Sequence, residues 1–111
     1  MLPRACRLAS GQSIQRVVRR GKRVPVGSLV VHVSVGTDLQ PARAALIVSR
    51  KVGGSVVRHR VQRRLRHLLR PRLGLLGPGI EIVVRAQPSA AEASSVELGR
   101  DLDRALAKAG F

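Results

Sequence analysis

Seven arginines lie between positions 58 and 72, in a stretch that also holds two histidines and no acidic residue. The apolar residues of this stretch recur at helical spacing, so the sequence predicts a helix whose apolar stripe covers about 120° of its circumference. The rest of the helix surface then carries a crest and two margins of cations. A solvated face normally mixes both signs of charge, and a membrane-surface helix normally carries Trp or Phe anchors. Both alternatives fit this stretch less well than a surface that binds a polyanion.

The charge of the whole chain supports the same interpretation. Lys and Arg number 21 against six acids, which gives a formal net charge of +15. Arginine supplies 18 of these cations, and its planar fork suits phosphates and base edges better than a point charge does. Seventeen of the cations precede position 81, together with a single acid, Asp38. We predict a nucleic acid as the partner, with an anionic membrane as the weaker alternative.

Carboxylates that could hold a catalytic metal are scarce in the basic region. A metal-dependent nuclease needs clustered carboxylates, and only Asp38 lies there, in a predicted turn. The last helix and its cap account for the four acids of the C-terminal segment, which are Glu92, Glu97, Asp101 and Asp103. The sequence therefore predicts no catalytic residue in the protein.

The three histidines, His32, His59 and His67, could carry other chemistry. Zinc needs Cys, His or carboxylate ligands close together, and none of the three has such a neighbour. A ribonuclease of the two-histidine acid/base type is an alternative, although the histidines lie on different predicted elements. We predict no metal ligands in the protein.

Length and cysteine content bound the architecture. A chain of 111 residues fits one domain, and we predict a single RNA-binding domain over residues 1–111. Cys6 is the only cysteine, so no internal disulfide is expected and a reducing cytoplasm suits the protein. The longest apolar run, 29–35, is much shorter than the roughly 20 residues that a membrane span needs. We therefore expect a cytoplasmic location and no membrane partner.

Hydrophobic periodicity and turn residues give the order of the elements. The predicted elements are a helix over 11–20, an edge strand over 22–26, a strand over 29–35, an antiparallel return strand over 43–49, the basic helix, a strand over 80–85 and a last helix. This order, αβββαβα, predicts an α+β fold, a single-domain α/β sandwich with one sheet covered by helices.

Local signals set the expected ends of these elements. Gly21 is a plausible C-cap of the first helix, and Ser55 a possible N-cap of the basic helix. Pro71 and the glycine cluster from Gly74 to Gly79 are expected to end the basic helix. Ser89 and Glu92 have the spacing of a capping box for the last helix. The apolar stripe of the basic helix consists of Val57, Val61, Leu65, Leu68 and Leu69, and that of the last helix of Leu98, Leu102, Ala105, Leu106 and Ala109.

The stretch from Ala45 to Arg70, ALIVSRKVGGSVVRHRVQRRLRHLLR, resembles the signature region of the bacterial ribonuclease P protein family. That family typically shows a strand, then Ser-Lys-Lys-Val-Gly, then a helix with Arg-Asn-Arg and further cations. Here the sequence is Ser-Arg-Lys-Val-Gly over 49–53 and Arg-His-Arg over 58–60. The flanks around 1–8, 17–23 and 82–88 are similar as well, so the resemblance runs over almost the whole chain.

The resemblance implies a fold, partners and a division of labour. The fold is that of the second domain of a small-subunit ribosomal protein, with a left-handed βαβ crossover through the basic helix. The partners are the RNA subunit of ribonuclease P and precursor tRNA, from which the enzyme removes the 5′ leader to make the mature tRNA 5′ end. Hydrolysis is expected from the RNA subunit, which would also hold the Mg²⁺ ions. Protein side chains would hold none.

The resemblance also assigns two sets of site residues. The RNA-binding set consists of Arg50, Lys51, Arg58, His59, Arg60, Gln62, Arg63, Arg64, Arg66 and Arg70. The set that lines a cleft for the single-stranded leader consists of Ile14, Val18, Val31 and His32. Relatives usually carry aromatic residues in this cleft, and here only His32 has a ring, so we expect weaker stacking and more apolar contact.

Two positions depart from the family pattern. His59 stands for its asparagine and Gln62 for a lysine, which removes one charge. The alternative function is a basic ribosomal protein that binds ribosomal RNA without a processing role.

Overall fold

The computed structural model describes Leu2, Arg7, Leu8 and residues 10–111. The helices are α1 (Gly11–Arg20), α2 (Ser55–Gly74) and α3 (Ser95–Lys108), and the strands are β1 (Lys22–Val26), β2 (Leu29–Val35), β3 (Arg43–Ile47) and β4 (Ile80–Ala86). A short 3₁₀ turn at Pro88–Ala91 precedes α3. The order αβββαβα and the mixed α+β class are confirmed. No helix of the described residues is long and apolar enough to cross a membrane.

The sheet has the order β1-β2-β4-β3. β1 and β4 both pair antiparallel with β2, whereas β3 lies parallel to β4 at the other edge. The prediction that 43–49 returns antiparallel beside 29–35 was therefore wrong about the neighbour, and the strand is also shorter. Periodicity predicts that a segment is a strand, but it does not say which strand lies beside it. The place next to β2 inside the sheet goes to β4, because β4 is buried from Ile80 to Val84. The left hand of the β3-α2-β4 crossover stays a prediction.

Strand alternation divides the sheet into two faces. One face, which includes Val31, Val33, Ile82 and Val84, packs under α2 and α3 and forms the main core. The opposite face packs under α1 and forms a smaller core of Leu8, Val17 and Val83. The fold thus places α1 alone on one side of the sheet and the basic helix on the other.

The cap of the basic helix differs from the predicted one, and the helix passes Pro71 before it ends at the predicted glycine cluster. Gly54 is its N-cap and no side chain caps it, so the prediction of Ser55 as N-cap was wrong. Pro71 lies inside the helix, which continues to Gly74. An internal proline costs about 3 kcal/mol through one lost hydrogen bond and a steric clash. The extra turn buries Leu73 in the main core, which offsets about 1.5–3 kcal/mol of that cost.

The capping box lies five residues beyond the predicted pair. Ser94 Oγ accepts from the Glu97 N–H at 3.1 Å, and Glu97 Oε1 accepts from the Ser94 N–H at 3.2 Å. Ser89 instead lies in the 3₁₀ turn and donates to Ser28 Oγ at 3.0 Å. The spacing Ser94-x-x-Glu97 was visible in the sequence, directly before the apolar run of α3.

Candidate nucleic-acid interface

The crest of α2 points into solvent. It consists of His59, Arg63, His67 and Arg70, all exposed and on the side away from the stripe of Val61, Leu65, Leu69 and Leu73. No hydrogen bond or salt bridge within the described part of the chain uses any of these four side chains. The crest is therefore open to an external partner, and RNA binding by His59, Arg63 and Arg70 stays a prediction.

A second row of α2 lies near β3 and near Leu2, Arg7 and Leu8. Gln62 and Arg66, which we call the β3-side margin, are half-buried and line a pocket at the β3 edge. Their position one turn apart places both side chains over the same edge of the sheet. Arg66 thus continues the cationic surface from the crest toward the edge strand, with the neutral amide of Gln62 beside it.

A third row is already engaged within the molecule. Arg60 Nη2 donates to the carbonyl of Ala91 at 3.1 Å, and Arg64 Nη1 donates to the carbonyl of Ala93 at 2.8 Å. Arg72 binds Asp103 through two hydrogen bonds of 2.8 and 3.1 Å. We call Arg60, Arg64 and Arg72 the α3-side margin. The family resemblance places Arg60 and Arg64 in the RNA-binding set. In the structure both side chains bind backbone carbonyls of this chain instead.

The loop before α2 holds two further predicted residues. Arg50 and Lys51 are exposed on a turn that is anchored by the buried Val52, whose N–H donates to the carbonyl of Ser49 at 3.1 Å. Gly53 has a φ of 158°, and a Cβ there would lie 2.9 Å from the side chain of Val57. The loop can approach the helix so closely because this position is glycine.

The first turn of α2 adds donors beside this loop. It contains no acidic residue and no side-chain cap, so its backbone N–H groups face outward. Arg58 is half-buried next to them, and its Nε is buried without a hydrogen-bond partner among the described residues. Helix N-termini with free N–H groups favour anions. Arg50, Lys51 and Arg58 therefore surround a start of the helix that suits a phosphate.

The acids do not neutralise this surface. All six lie in the described residues, and Asp103 is the only one that pairs with a cation of α2. Asp38 and Glu81 pair with Arg43, and Glu81 also pairs with Arg16. Asp101 is buried and accepts from the Ser28 N–H at 3.1 Å. We call the turn that carries Arg50 and Lys51 the 49–51 turn. No salt bridge within the described part of the chain neutralises the cations of this turn, of the crest or of the β3-side margin.

The structure places the residues predicted for the leader cleft on both faces of the sheet. Ile14 and Val18 lie half-buried on α1 and pack against the smaller core. Val31 is fully buried in the main core on the opposite face, so the prediction for Val31 was wrong. Adjacent residues of a strand point to opposite faces, so Val31 and His32 cannot line one cleft.

His32 lies on the α1 face but is not open to a base. Its exposed fraction is 3%, and neither ring nitrogen has a hydrogen-bond partner among the described residues. Burial lowers the pKa of His32, and the charges of Arg85 and Arg23 lower it further. The imidazole is therefore held neutral beneath the surface, and the prediction that its ring is available for stacking was wrong.

The face beside α1 instead offers aliphatic side chains. Ile14 and Val18 on α1, with Ala45 and Ile47 on β3, are half-buried around the smaller core, and we call these four residues the α1 groove. Sequence reasoning missed Ala45 and Ile47, although their i, i+2 spacing puts them on one face of the strand. The groove suits an unpaired strand that is bound by apolar contact.

Comparisons with known proteins agree on one family. A family model described as ribonuclease P matches residues 2–110. The ribonuclease P protein component of a Nocardioides species is 47% identical over 112 residues, covering 99% of this chain and 96% of that relative. The corresponding protein of Streptomyces griseus is 48% identical over 114 residues, covering 96% and 93%.

Solved structures show the same fold. The RNase P protein of Staphylococcus aureus matches with a TM-score of 0.84 at 22% identity and 95% coverage of both chains. The RNase P protein of Thermotoga maritima matches with a TM-score of 0.77 at 23% identity, covering 92% of this chain and 96% of that one.

Proposed function

Because the chain belongs to the ribonuclease P protein family, we propose that its basic helix binds the RNA subunit of that enzyme and that the α1 groove binds the 5′ leader of precursor tRNA. The chain is the protein component of ribonuclease P, part of an endoribonuclease complex that works with an RNA subunit. The finer assignment of surfaces to RNAs is our proposal. It also places the protein in the cytoplasm, which the single cysteine favours.

One observation carries the assignment of α2. The cations of the crest, Arg66 of the β3-side margin and the exposed Arg50 and Lys51 carry one sign of charge, and the acids that form salt bridges pair with other cations. An RNA backbone supplies the missing negative charge at regular spacing. Arginine forks bind phosphate oxygens through two parallel hydrogen bonds, so binding is expected to be strong at low salt.

The α1 groove is assigned to the leader because its surface is apolar, whereas the exposed surface of α2 is cationic. Its walls are the aliphatic side chains of Ile14, Val18, Ala45 and Ile47, and Arg85 is exposed on the same face of the sheet. Unpaired bases can lie on apolar walls while their phosphates contact flanking cations. The groove has no aromatic ring at its surface, so each base is expected to gain less than the roughly 1–3 kcal/mol of aromatic stacking.

We propose that the RNA subunit performs the hydrolysis with Mg²⁺ ions that RNA oxygens hold. Magnesium needs several oxygen ligands around one point. The described part of the chain contains no cluster of three or more Asp, Glu, His or Cys side chains that could hold a metal. The protein's contribution is then to bind and orient the two RNAs and to screen their repulsion.

Recovery of the bound RNA tests the proposal. The tagged protein is purified from its own cells at low salt, and the RNA that elutes with it is sequenced. We expect the ribonuclease P RNA and precursor tRNAs. Recovery of ribosomal RNA alone would favour the alternative of a basic ribosomal protein.

A cleavage assay tests the assignment of the chemistry. Purified protein is incubated with precursor tRNA, with and without the RNA subunit, at matched Mg²⁺ concentration. Cleavage is expected only when the RNA subunit is present, and the protein should lower the substrate concentration that half-saturates the reaction. Turnover by protein alone would overturn the proposal that the RNA performs the hydrolysis.

A further inference from the structure

A pocket of about 270 Å³ opens at the outer edge of β3. It joins the α1 groove to the β3-side margin of α2, since Ile14 lines one end and Gln62 and Arg66 line the other. Leu8 is held at this edge, because its N–H donates to the carbonyl of Ala44 at 3.0 Å. The remaining lining residues are Leu2, Arg7, Leu8, Ala44, Ala45 and Leu46.

The pocket combines flat apolar walls with polar groups at its rim. Leu8, Ile14 and Ala45 supply the walls. Gln62 supplies an amide that can donate and accept, and Arg66 supplies a planar cation. No hydrogen bond within the described part of the chain uses the side chain of Gln62 or Arg66.

These features select the kind of ligand. A simple anion needs cations but no apolar walls. The volume of this pocket, about 270 Å³, lies just below the roughly 300–1,000 Å³ of pockets that hold drug-sized molecules. An unpaired nucleobase has two apolar faces, a polar edge with donors and acceptors, and an attached phosphate. Apolar walls and the plane of a guanidinium can cover the faces, while an amide reads the edge.

The position of the pocket gives the source of that base. A strand that leaves the α1 groove toward α2 passes over the β3 edge, and the cations Arg7 and Arg66 stand on its two sides. We propose that the pocket holds one unpaired nucleobase of a bound RNA strand, with Gln62 contacting its polar edge and Arg66 covering a face or binding the adjacent phosphate. This inference rests on the proposed function and adds a base-reading contact to it.

A fluorescent base tests the inference in the reconstituted complex of protein, RNA subunit and precursor tRNA. In one arm 2-aminopurine replaces single bases along the leader, and in the other it replaces unpaired bases of the RNA subunit. We expect the protein to change the fluorescence at one position, and the arm in which this occurs identifies the strand.

Variants then connect that signal to the pocket. Gln62→Leu keeps the size of the side chain and removes its polar edge, so it should reduce the signal and weaken binding of that strand about 2- to 10-fold, the worth of one or two hydrogen bonds. Arg66→Lys keeps the charge but removes the planar group, and it should reduce the same signal. Gln40→Leu is the matched control, because Gln40 is exposed in the loop between β2 and β3, and it should behave like the wild type.

The outcomes separate this inference from the proposed function. If the wild-type protein fails to assist cleavage by the RNA subunit, the proposed function itself is wrong. If it assists cleavage but changes no 2-aminopurine signal, or if Gln62→Leu and Arg66→Lys both keep the full signal, only the pocket inference is overturned.

Discussion

Arg16 on α1 donates from Nη2 to both carboxylate oxygens of Glu81 on β4, at 2.7 and 2.8 Å. Arg43 on β3 lies 3.6 Å from the same carboxylate and also donates to Asp38 at 3.1 Å. Glu81 is buried where α1 meets the sheet, and its carboxylate pairs with both of these arginines. This network fixes the helix that forms one wall of the α1 groove.

Replacing Glu81 with Gln should destabilise the protein by about 2–3 kcal/mol, since the buried amide cannot neutralise Arg16 and Arg43. Urea unfolding followed by circular dichroism measures the change. Asp38→Asn is the control, because Asp38 is largely exposed, and it should cost less than about 1 kcal/mol. Equal losses for the two variants would contradict the central role of Glu81.

Arg63 and Arg64 are neighbours in sequence with opposite expected roles. Arg63 lies on the exposed crest, whereas Arg64 donates to the carbonyl of Ala93. Arg63→Ala should weaken RNA binding and leave stability unchanged. Arg64→Ala should lower stability by about 1–2 kcal/mol through the lost charge-assisted hydrogen bond and affect RNA binding less. Filter binding and thermal unfolding of both variants give the comparison, and a reversed pattern would refute the assignment of Arg63 to the crest and of Arg64 to the α3-side margin.

The slope of log K for RNA binding against log salt should reflect the number of outward-facing cations that contact phosphates. If Arg50, Lys51, Arg63, Arg66 and Arg70 each neutralise one phosphate, the slope of log K against log salt is about −4. Arg70→Ala should reduce its magnitude by about 1. Arg72→Ala should leave the slope unchanged, since Arg72 is bound to Asp103. A wild-type slope near −1 would rule out a multi-phosphate contact.

His32 should make the fold sensitive to acid. Its pKa in the folded protein is lowered by burial and by Arg85 and Arg23, while an unfolded histidine titrates near about 6.5. The unfolded chain therefore takes up the proton more readily, so stability from this group is complete above about pH 6.5 and falls as the pH drops below it toward the lowered pKa.

Unfolding midpoints of wild type and His32→Leu, measured between about pH 5 and pH 8, check this dependence. The variant should lose less stability on acidification than the wild type. His67→Leu, at an exposed crest position, is the control and should keep the wild-type pH dependence. Parallel pH profiles for wild type and His32→Leu would contradict the prediction.

The sequence by itself determined the polyanion partner and the order of the elements. Both depend on local information, namely the density of arginine between 58 and 72 and the helical or alternating spacing of apolar residues. The helix at 11–20, the edge strand with Pro25 and the apolar face of α3 appear in the structure where their patterns predict them. The family resemblance of the stretch from Ala45 to Arg70 added the kind of RNA.

Only the tertiary structure decided which side chains are left for a partner. The arginines of the α3-side margin and those of the crest have the same side chain but different partners. The difference arises because α3 and the 3₁₀ turn pack against one side of α2 and supply acceptors there. In the same way, β4 takes the place between β2 and β3, and α1 covers His32 while Val31 faces the main core. These outcomes depend on contacts between residues far apart in the chain, which no local pattern encodes.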